Sequence, residues 1–268
     1  MKTNNAFEQI FHPLLTEFCR EIKPIQINDD FPAIFLPHTM NNYSNAERKI
    51  FYFGRDTNGW LETGELMRAY SKNDLSSFFE NTKQWANDFC FFKYTKNQAY
   101  GFWTLVIRLH LRLKGFKENL KIGEDFPKNF YEYINDFGWG NTNAIETDQS
   151  QKNQSLWETL DKKKYRAIKK KSKKFDRLKC TIDAFKPDIV FVFNWNKQYC
   201  QPQNFLEGLV YQEQNIDIVN GKFTYYYLPE SKTKLLWTIH PNFLRFVKNY
   251  NIDNLIDEIE RYFRSIEN

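Results

Sequence analysis

The sequence predicts an α/β fold: a three-layer α/β/α sandwich around a central, mostly parallel sheet, with residues 1–268 forming a single domain. Three observations predict it. Two segments, Lys49-Ile50-Phe51-Tyr52-Phe53-Gly54 and Asp188-Ile189-Val190-Phe191-Val192-Phe193-Asn194, are apolar almost without interruption, the pattern of strands buried on both faces. Long stretches of helical period separate them, and parallel neighbours need such crossovers. Hydrophobic residues make up 41% of the chain, with only 10 Gly and 9 Pro, so a sizeable core forms and collagen-like or disordered chains are excluded.

Residues 6–22 read as an amphipathic helix that stops before Lys23-Pro24, within an N-terminal helical attachment over 1–48. Ala33 to Pro37 is a short extended piece. The strand at 49–54 ends on a glycine and opens into a polar loop. Residues 61–113 are mostly helical in pattern, and Tyr100 to His110 is apolar on nearly all sides, which makes that helix central. Phe137 to Ile145 reads as a strand and loop, although its glycines argue against regular pairing. A basic helix over 155–180 lies within the domain. Ile216 to Leu228 forms a hairpin about Asn220-Gly221, Lys234 to Ile239 is a further strand, and 253–266 is a helix with Leu255, Ile256, Ile259, Tyr262, Phe263 and Ile266 on one side.

The longest clean apolar run is five residues, Ile189 to Phe193, and no signal-peptide core follows Met1-Lys2-Thr3, so a cytoplasmic protein is expected. The spacing of Cys19, Cys90, Cys180 and Cys200 suits neither a disulfide framework nor a CxxC pair, and reduced, buried thiols are expected. Neither a metal nor a cofactor is expected, and the chain is expected to be a monomer.

The net charge of +5 is unevenly spread: ten Lys and Arg face two Asp between Asp161 and Arg177, leaving the remainder slightly acidic. Trp157, Leu160, Tyr165, Ile168, Phe175 and Leu178 thread this stretch at mostly helical intervals, giving a narrow apolar stripe and a broad basic face. A phosphate backbone is the commonest partner for such a face, and Lys169, Lys170, Lys171, Lys173 and Lys174 are the expected DNA contacts. The competing reading is a solvated helix.

Three strand ends carry residues with catalytic potential. Gly54-Arg55-Asp56-Thr57-Asn58-Gly59-Trp60 has the glycine spacing of a phosphate loop but Trp60 where the lysine belongs, so nucleotide triphosphatase chemistry is excluded. Asp56 is instead a candidate base or water holder, against the alternative of an Asp/Asn/Gly turn. In Trp139-Gly140-Asn141-Thr142-Asn143, each asparagine side chain offers an acceptor beside two donors, suited to reading a base edge, although asparagine is abundant in this chain. At Trp237-Thr238-Ile239-His240-Pro241, proline ends the strand and leaves His240 at the mouth of the sheet, as a catalytic or a structural histidine.

The order of these loops, Gly-x-Asp, then Asn, then His-Pro, resembles the uracil-DNA glycosylase superfamily over roughly 50–245. Gly54-Arg55-Asp56-Thr57-Asn58 stands where that family has Gly-x-Asp-Pro-Tyr, and His240-Pro241-Asn242-Phe243-Leu244-Arg245 where it has His-Pro-Ser-Pro-Leu-Ser. The resemblance implies a DNA glycosylase that flips out a damaged or modified base and hydrolyses its N-glycosidic bond, leaving an abasic site. Asp56 would activate water and His240 would donate to the departing base. Asn141 or Asn143, with Asn58 and Trp60, would bind the base, with Phe89 and Phe91 as further stacking candidates. Leu244 would fill the gap in the duplex beside Arg245, and the basic helix would hold phosphates.

Thr57-Asn58 replaces the Pro-Tyr pair whose Tyr closes the uracil pocket at C5, which implies room for a bulkier substituent, as in hypermodified phage DNA and a role in phage defence. Two alternatives stand beside this reading: a catalytically inactive DNA-binding module of the same fold, and an unrelated small-molecule α/β hydrolase.

Overall fold

A computed structural model of the chain describes residues 2–25, 33–54, 64–88, 101–116, 132–145, 162–175, 178–195, 203–216 and 223–267. The apolar runs become the centre of a seven-stranded mixed sheet. In chain order its strands are β1 (His38–Thr39), β2 (Ile50–Gly54), β3 (Phe137–Asn141), β4 (Ile189–Trp195), β5 (Gln212–Ile216), β6 (Phe223–Leu228) and β7 (Thr233–Ile239). They lie in the order β1-β3-β2-β4-β7-β6-β5. The four inner strands β3, β2, β4 and β7 are parallel, while β1, β6 and β5 pair antiparallel at the two margins. The expected α/β class with a mostly parallel centre is therefore present.

The helices are α1 (Lys2–Ile22), α2 (Glu65–Ser71), α3 (Leu75–Asp88), α4 (Phe102–Leu113), α5 (Lys162–Ser172), α6 (Leu178–Phe185), α7 (Gln203–Leu206) and α8 (Ile252–Glu267). Alternate side chains of β2 face different helices, as the pleat requires. Phe51 lies 5.5 Å from Phe185 of α6, whereas Tyr52 lies 5.9 Å from His110 of α4 and stacks on Phe191, the neighbour of Phe263 on α8. The chain segment at 1–48 is no outlying attachment. Phe11, Leu15 and Phe18 of α1 are completely buried in the main core, against α6 and α5. The expected central helix is α4, with Leu105, Val106, Ile107 and Leu109 at 0% exposure. Arg108 pairs with Asp253, and Arg112 with Asp257 and Glu260, fastening α4 to α8.

Two expectations are corrected. The basic helix over 155–180 is two helices: α5 ends at Ser172, a turn follows over 173–175, and α6 starts at Leu178. The first arm of the hairpin is Gln212–Ile216, upstream of the segment expected, with Ile216 opposite Phe223; Asn220-Gly221 lies outside the described residues. The glycines of β3, which argued against pairing, are what permits it. A Cβ on Gly138 would sit 2.2 Å from the Phe51 ring, and one on Gly140 would sit 3.0 Å from that of Phe53.

The core also holds a polar chain. Asp136 Oδ1 lies 2.7 Å from His110 Nε2, and His110 Nδ1 lies 3.1 Å from the Tyr52 hydroxyl, while Lys114 binds the second Asp136 oxygen. Although the Asp136 contact has ion-pair geometry, burial lowers the His110 pKa more than the carboxylate raises it. Neutral His110 thus donates from Nε2 to Asp136 and accepts from Tyr52 at Nδ1, leaving no member unsatisfied. His110→Phe is expected to destabilise the fold by about 2–4 kcal/mol in urea denaturation, because it leaves a buried hydroxyl and a half-buried carboxylate without their partner.

The pH dependence follows from the same burial. His38 is pushed down to about 3 and His110 is also lowered, so the unfolded chain binds protons near pH 6.5 that the folded chain refuses. The resulting stability is full above pH 6.5 and is lost as pH falls. Between pH 6.5 and 5, before the carboxylates titrate, unfolding free energy should drop by up to about 1.4 kcal/mol per pH unit for each histidine.

Candidate functional site

In a parallel sheet every strand ends on the same edge, and ligands bind where the strand order reverses. Here that point lies between β2 and β4: the chain continues from β2 to β3 on one side and to β4 and β7 on the other. The carboxyl ends of β2, β3 and β7 are Gly54, Asn141 and Ile239, so all three polar loops singled out in the sequence leave from one edge.

Two of them touch. Gly54 and Asn141 are register partners, and Thr142 N donates to the Gly54 carbonyl at 3.0 Å. A Cβ on Gly54 would stand 2.8 Å from Asn141 Oδ1 and 3.4 Å from the Phe102 ring at the start of α4. Only glycine lets the Asn141 amide lie against the strand end at the point where the Asp56 loop begins. Asn143 follows two residues on, half-buried.

The third loop is anchored from β4. His240 N donates to Trp195 O at 3.0 Å, and its Nδ1 accepts from Asn242 N at 3.3 Å, capping the helical turn Pro241–Phe246. With Nδ1 accepting, the proton of a neutral His240 sits on Nε2 and makes that atom a donor. Two inter-strand spacings, about 10 Å, separate the ends of β2 and β7.

Between them lies a residue that sequence reasoning missed. Asn194 Oδ1 accepts from Trp237 Nε1 at 2.6 Å, and its Nδ2 donates to Thr142 Oγ1 at 3.2 Å, tying β7 and β3 together across the end of β4. The available signal was an asparagine closing an otherwise apolar run. Beside this network, Asn141, Thr142, Phe53 and Val192 line a narrow crevice whose other wall is Phe175, Leu178 and Thr181, from the turn after α5 and the start of α6. The turn that follows the basic helix therefore borders the same edge.

Its cations fall into two sets. Lys171 pairs with Glu21 at 3.0 Å, and Lys174 with Glu17 at 2.5 Å and Glu21 at 2.6 Å, which clips the end of α5 to α1. Lys174 and Lys171 hold the Glu21 carboxyl down at about 2. Lys163, Arg166, Lys170 and Lys173 are exposed, and spacings of three, four and three residues put them on one stripe, whereas Lys169 is half-buried. Of the five lysines expected to contact DNA, Lys171 and Lys174 are thus engaged by α1, and Lys170 and Lys173 are exposed.

Leu244 is also corrected. Its side chain is 0% exposed, because the Pro241–Phe246 turn folds it into the core against α4, and a duplex wedge has to protrude. Phe246, two residues on, is 67% exposed. Asp56, Asn58, Trp60, Phe89 and Phe91 lie outside the described residues, as does the side chain of Arg245. Among the described residues no group of three or more His, Cys, Asp or Glu is placed to hold a metal ion, and no helix is long and apolar enough to cross a membrane. Cys19 is buried, with its thiol pushed up to about 12, and Cys180 is half-buried. Compared with known proteins, the chain matches no family model and no curated protein.

The Gly54 contact is open to test. Gly54→Ala should cost about 1–3 kcal/mol in urea denaturation, as overpacking does, and displace the Asn141 side-chain amide resonances in an NMR spectrum. Unperturbed Asn141 signals would contradict the contact.

Proposed function

We propose that the protein is a DNA glycosylase of the uracil-DNA glycosylase type, acting on an altered base, and that its fold is the three-layer α/β/α sandwich of that superfamily. The observation that carries the reading is the meeting of Gly54, the last residue of β2, with Asn141 on the edge that also presents His240. Helices packed on both faces of β2 support the sandwich.

Cleavage of an N-glycosidic bond passes through a cationic sugar and an anionic base. On this reading Asp56 stabilises the cation and orients the attacking water, while His240 donates from Nε2 to a base oxygen as negative charge develops there. Support for that role is the Asn242 contact, which leaves Nε2 as the protonated nitrogen. Asn141 reads the base edge, with its amide position set by Gly54. Asn194 holds Thr142 and Trp237 in place behind it. The step needs only water as co-reactant. The exposed stripe of Lys163, Arg166, Lys170 and Lys173 carries the phosphates, and Phe246 takes the wedge role in place of the buried Leu244. The Thr57-Asn58 departure points to a base substituted at C5.

The test is release of base from uracil-containing DNA and from hypermodified phage DNA, scored as abasic sites. Asp56→Asn and His240→Ala should each lower release on the accepted substrate by about 10²–10³-fold. Unchanged release in both variants overturns the assignment. Independently, charge reversal at Lys170 and Lys173 should weaken DNA binding and flatten its salt dependence by about 0.9 in log–log slope per lost contact. Lys171→Gln with Lys174→Gln should alter stability while leaving that slope nearly unchanged.

A further inference from the structure

Asn194 stands one residue from the end of β4, beside the point where the strand order reverses, and is half-buried there. Its side-chain amide makes two hydrogen bonds among the described residues: Oδ1 accepts from Trp237 Nε1 at 2.6 Å, and Nδ2 donates to Thr142 Oγ1 at 3.2 Å. These occupy one of its two lone pairs and one of its two N–H groups. A donor and an acceptor remain side by side on the edge that carries Asn141 and His240.

The two partners differ in what they tolerate. An indole N–H can only donate, whereas a threonine hydroxyl donates or accepts by rotating. A flipped amide would set Nδ2 against Trp237 Nε1, donor against donor, and leave the N–H of a buried indole unpaired. Thr142 would accept either orientation. Trp237 therefore keys the amide, and Thr142 does not.

A pyrimidine with a 4-oxo group presents a ring N–H beside a carbonyl, and one with a 4-amino group presents a bare ring nitrogen beside an NH₂. Donor and acceptor have exchanged places. An amide free to flip meets both edges, while a keyed one matches a single order and leaves polar groups unpaired against the other. We infer that Asn194, keyed by Trp237, is a specificity-determining residue that selects between the 4-oxo and 4-amino forms of the base. The inference rests on the base-excision reading and adds to it the rule by which one base is chosen. Trp237 has a positioning role, since it acts through the amide.

The test compares single-turnover base release from oligonucleotides holding uracil, cytosine, 5-hydroxymethyluracil or 5-hydroxymethylcytosine at one position, so that the members of each pair share their C5 group. The wild-type chain should prefer one member of a pair by about 10²-fold or more. Trp237→Phe, which removes the N–H and keeps an aromatic ring, should shrink that preference about tenfold or more, mainly by faster release of the disfavoured base. Thr142→Val also removes one hydrogen bond from Asn194, yet should leave the preference within about threefold of wild type. Asn194→Ala, at a half-buried position, should lose the preference as well, and it decides the question where circular dichroism shows Trp237→Phe to be misfolded. A merely structural role would make Trp237→Phe and Thr142→Val alike. Equal loss in those two, an unchanged preference in Trp237→Phe or Asn194→Ala, no preference in the wild-type chain, or no release from any of the four bases overturns the inference. Release from hypermodified phage DNA in that last case leaves the base-excision reading standing and so separates the two failures.

Discussion

Two phenylalanine rings of β2 lie over two glycines of β3, and much of the architecture depends on that arrangement. Phe51 pairs in register with Gly138 and Phe53 with Gly140, and the two rings pack on one another at 5.1 Å. No other residue type fits at Gly138, because any Cβ there would overlap the Phe51 ring. The pairing can therefore adopt one register only, since a one-residue slip would set a ring against Trp139 and turn every side chain to the other face. That register in turn brings Gly54 beside Asn141. Core packing and placement of the candidate base reader are one constraint seen at two ends of the same strand pair.

Electrostatics at the carboxyl edge is arranged by sorting charge as well as by accumulating it. The clip from α1 takes Lys171 and Lys174 out of the basic face, and Lys163, Arg166, Lys170 and Lys173 remain exposed. A similar economy holds at His240, where a backbone amide that donates to Nδ1 sets the ring tautomer. Both are short-range devices, so they survive at ionic strengths that screen the broader field.

What could be read from the sequence follows from which physical signals are local. Strands β2, β4 and β7 were legible because burial on both faces leaves an apolar run that nothing else in the chain imitates. Strand β3 was obscured since its glycines answer to rings on another strand, a relation no window contains. The break between α5 and α6 begins after Ser172, where no glycine or proline marks it, and the apolar period from Ile168 through Phe175 to Leu178 masks it. Leu244 was placed by motif position, which carries no information on burial. The carboxyl-edge grouping of Gly54, Asn141 and His240 was readable from loop order alone, whereas Asn194 stayed hidden because its partners, Thr142 and Trp237, are both distant in sequence.

The clasp of α1 also has a bearing on how the chain is made. Glu21 meets Lys171 across 150 residues, and Phe11, Leu15 and Phe18 are covered by helices that are translated equally late. At typical ribosomal rates of roughly 5–20 residues per second, the greasy side of α1 waits on the order of ten seconds or more for its cover. A nascent chain stalled before residue 162 exposes that helix side to chaperones and to neighbouring nascent chains, and the domain closes only when its second half has emerged.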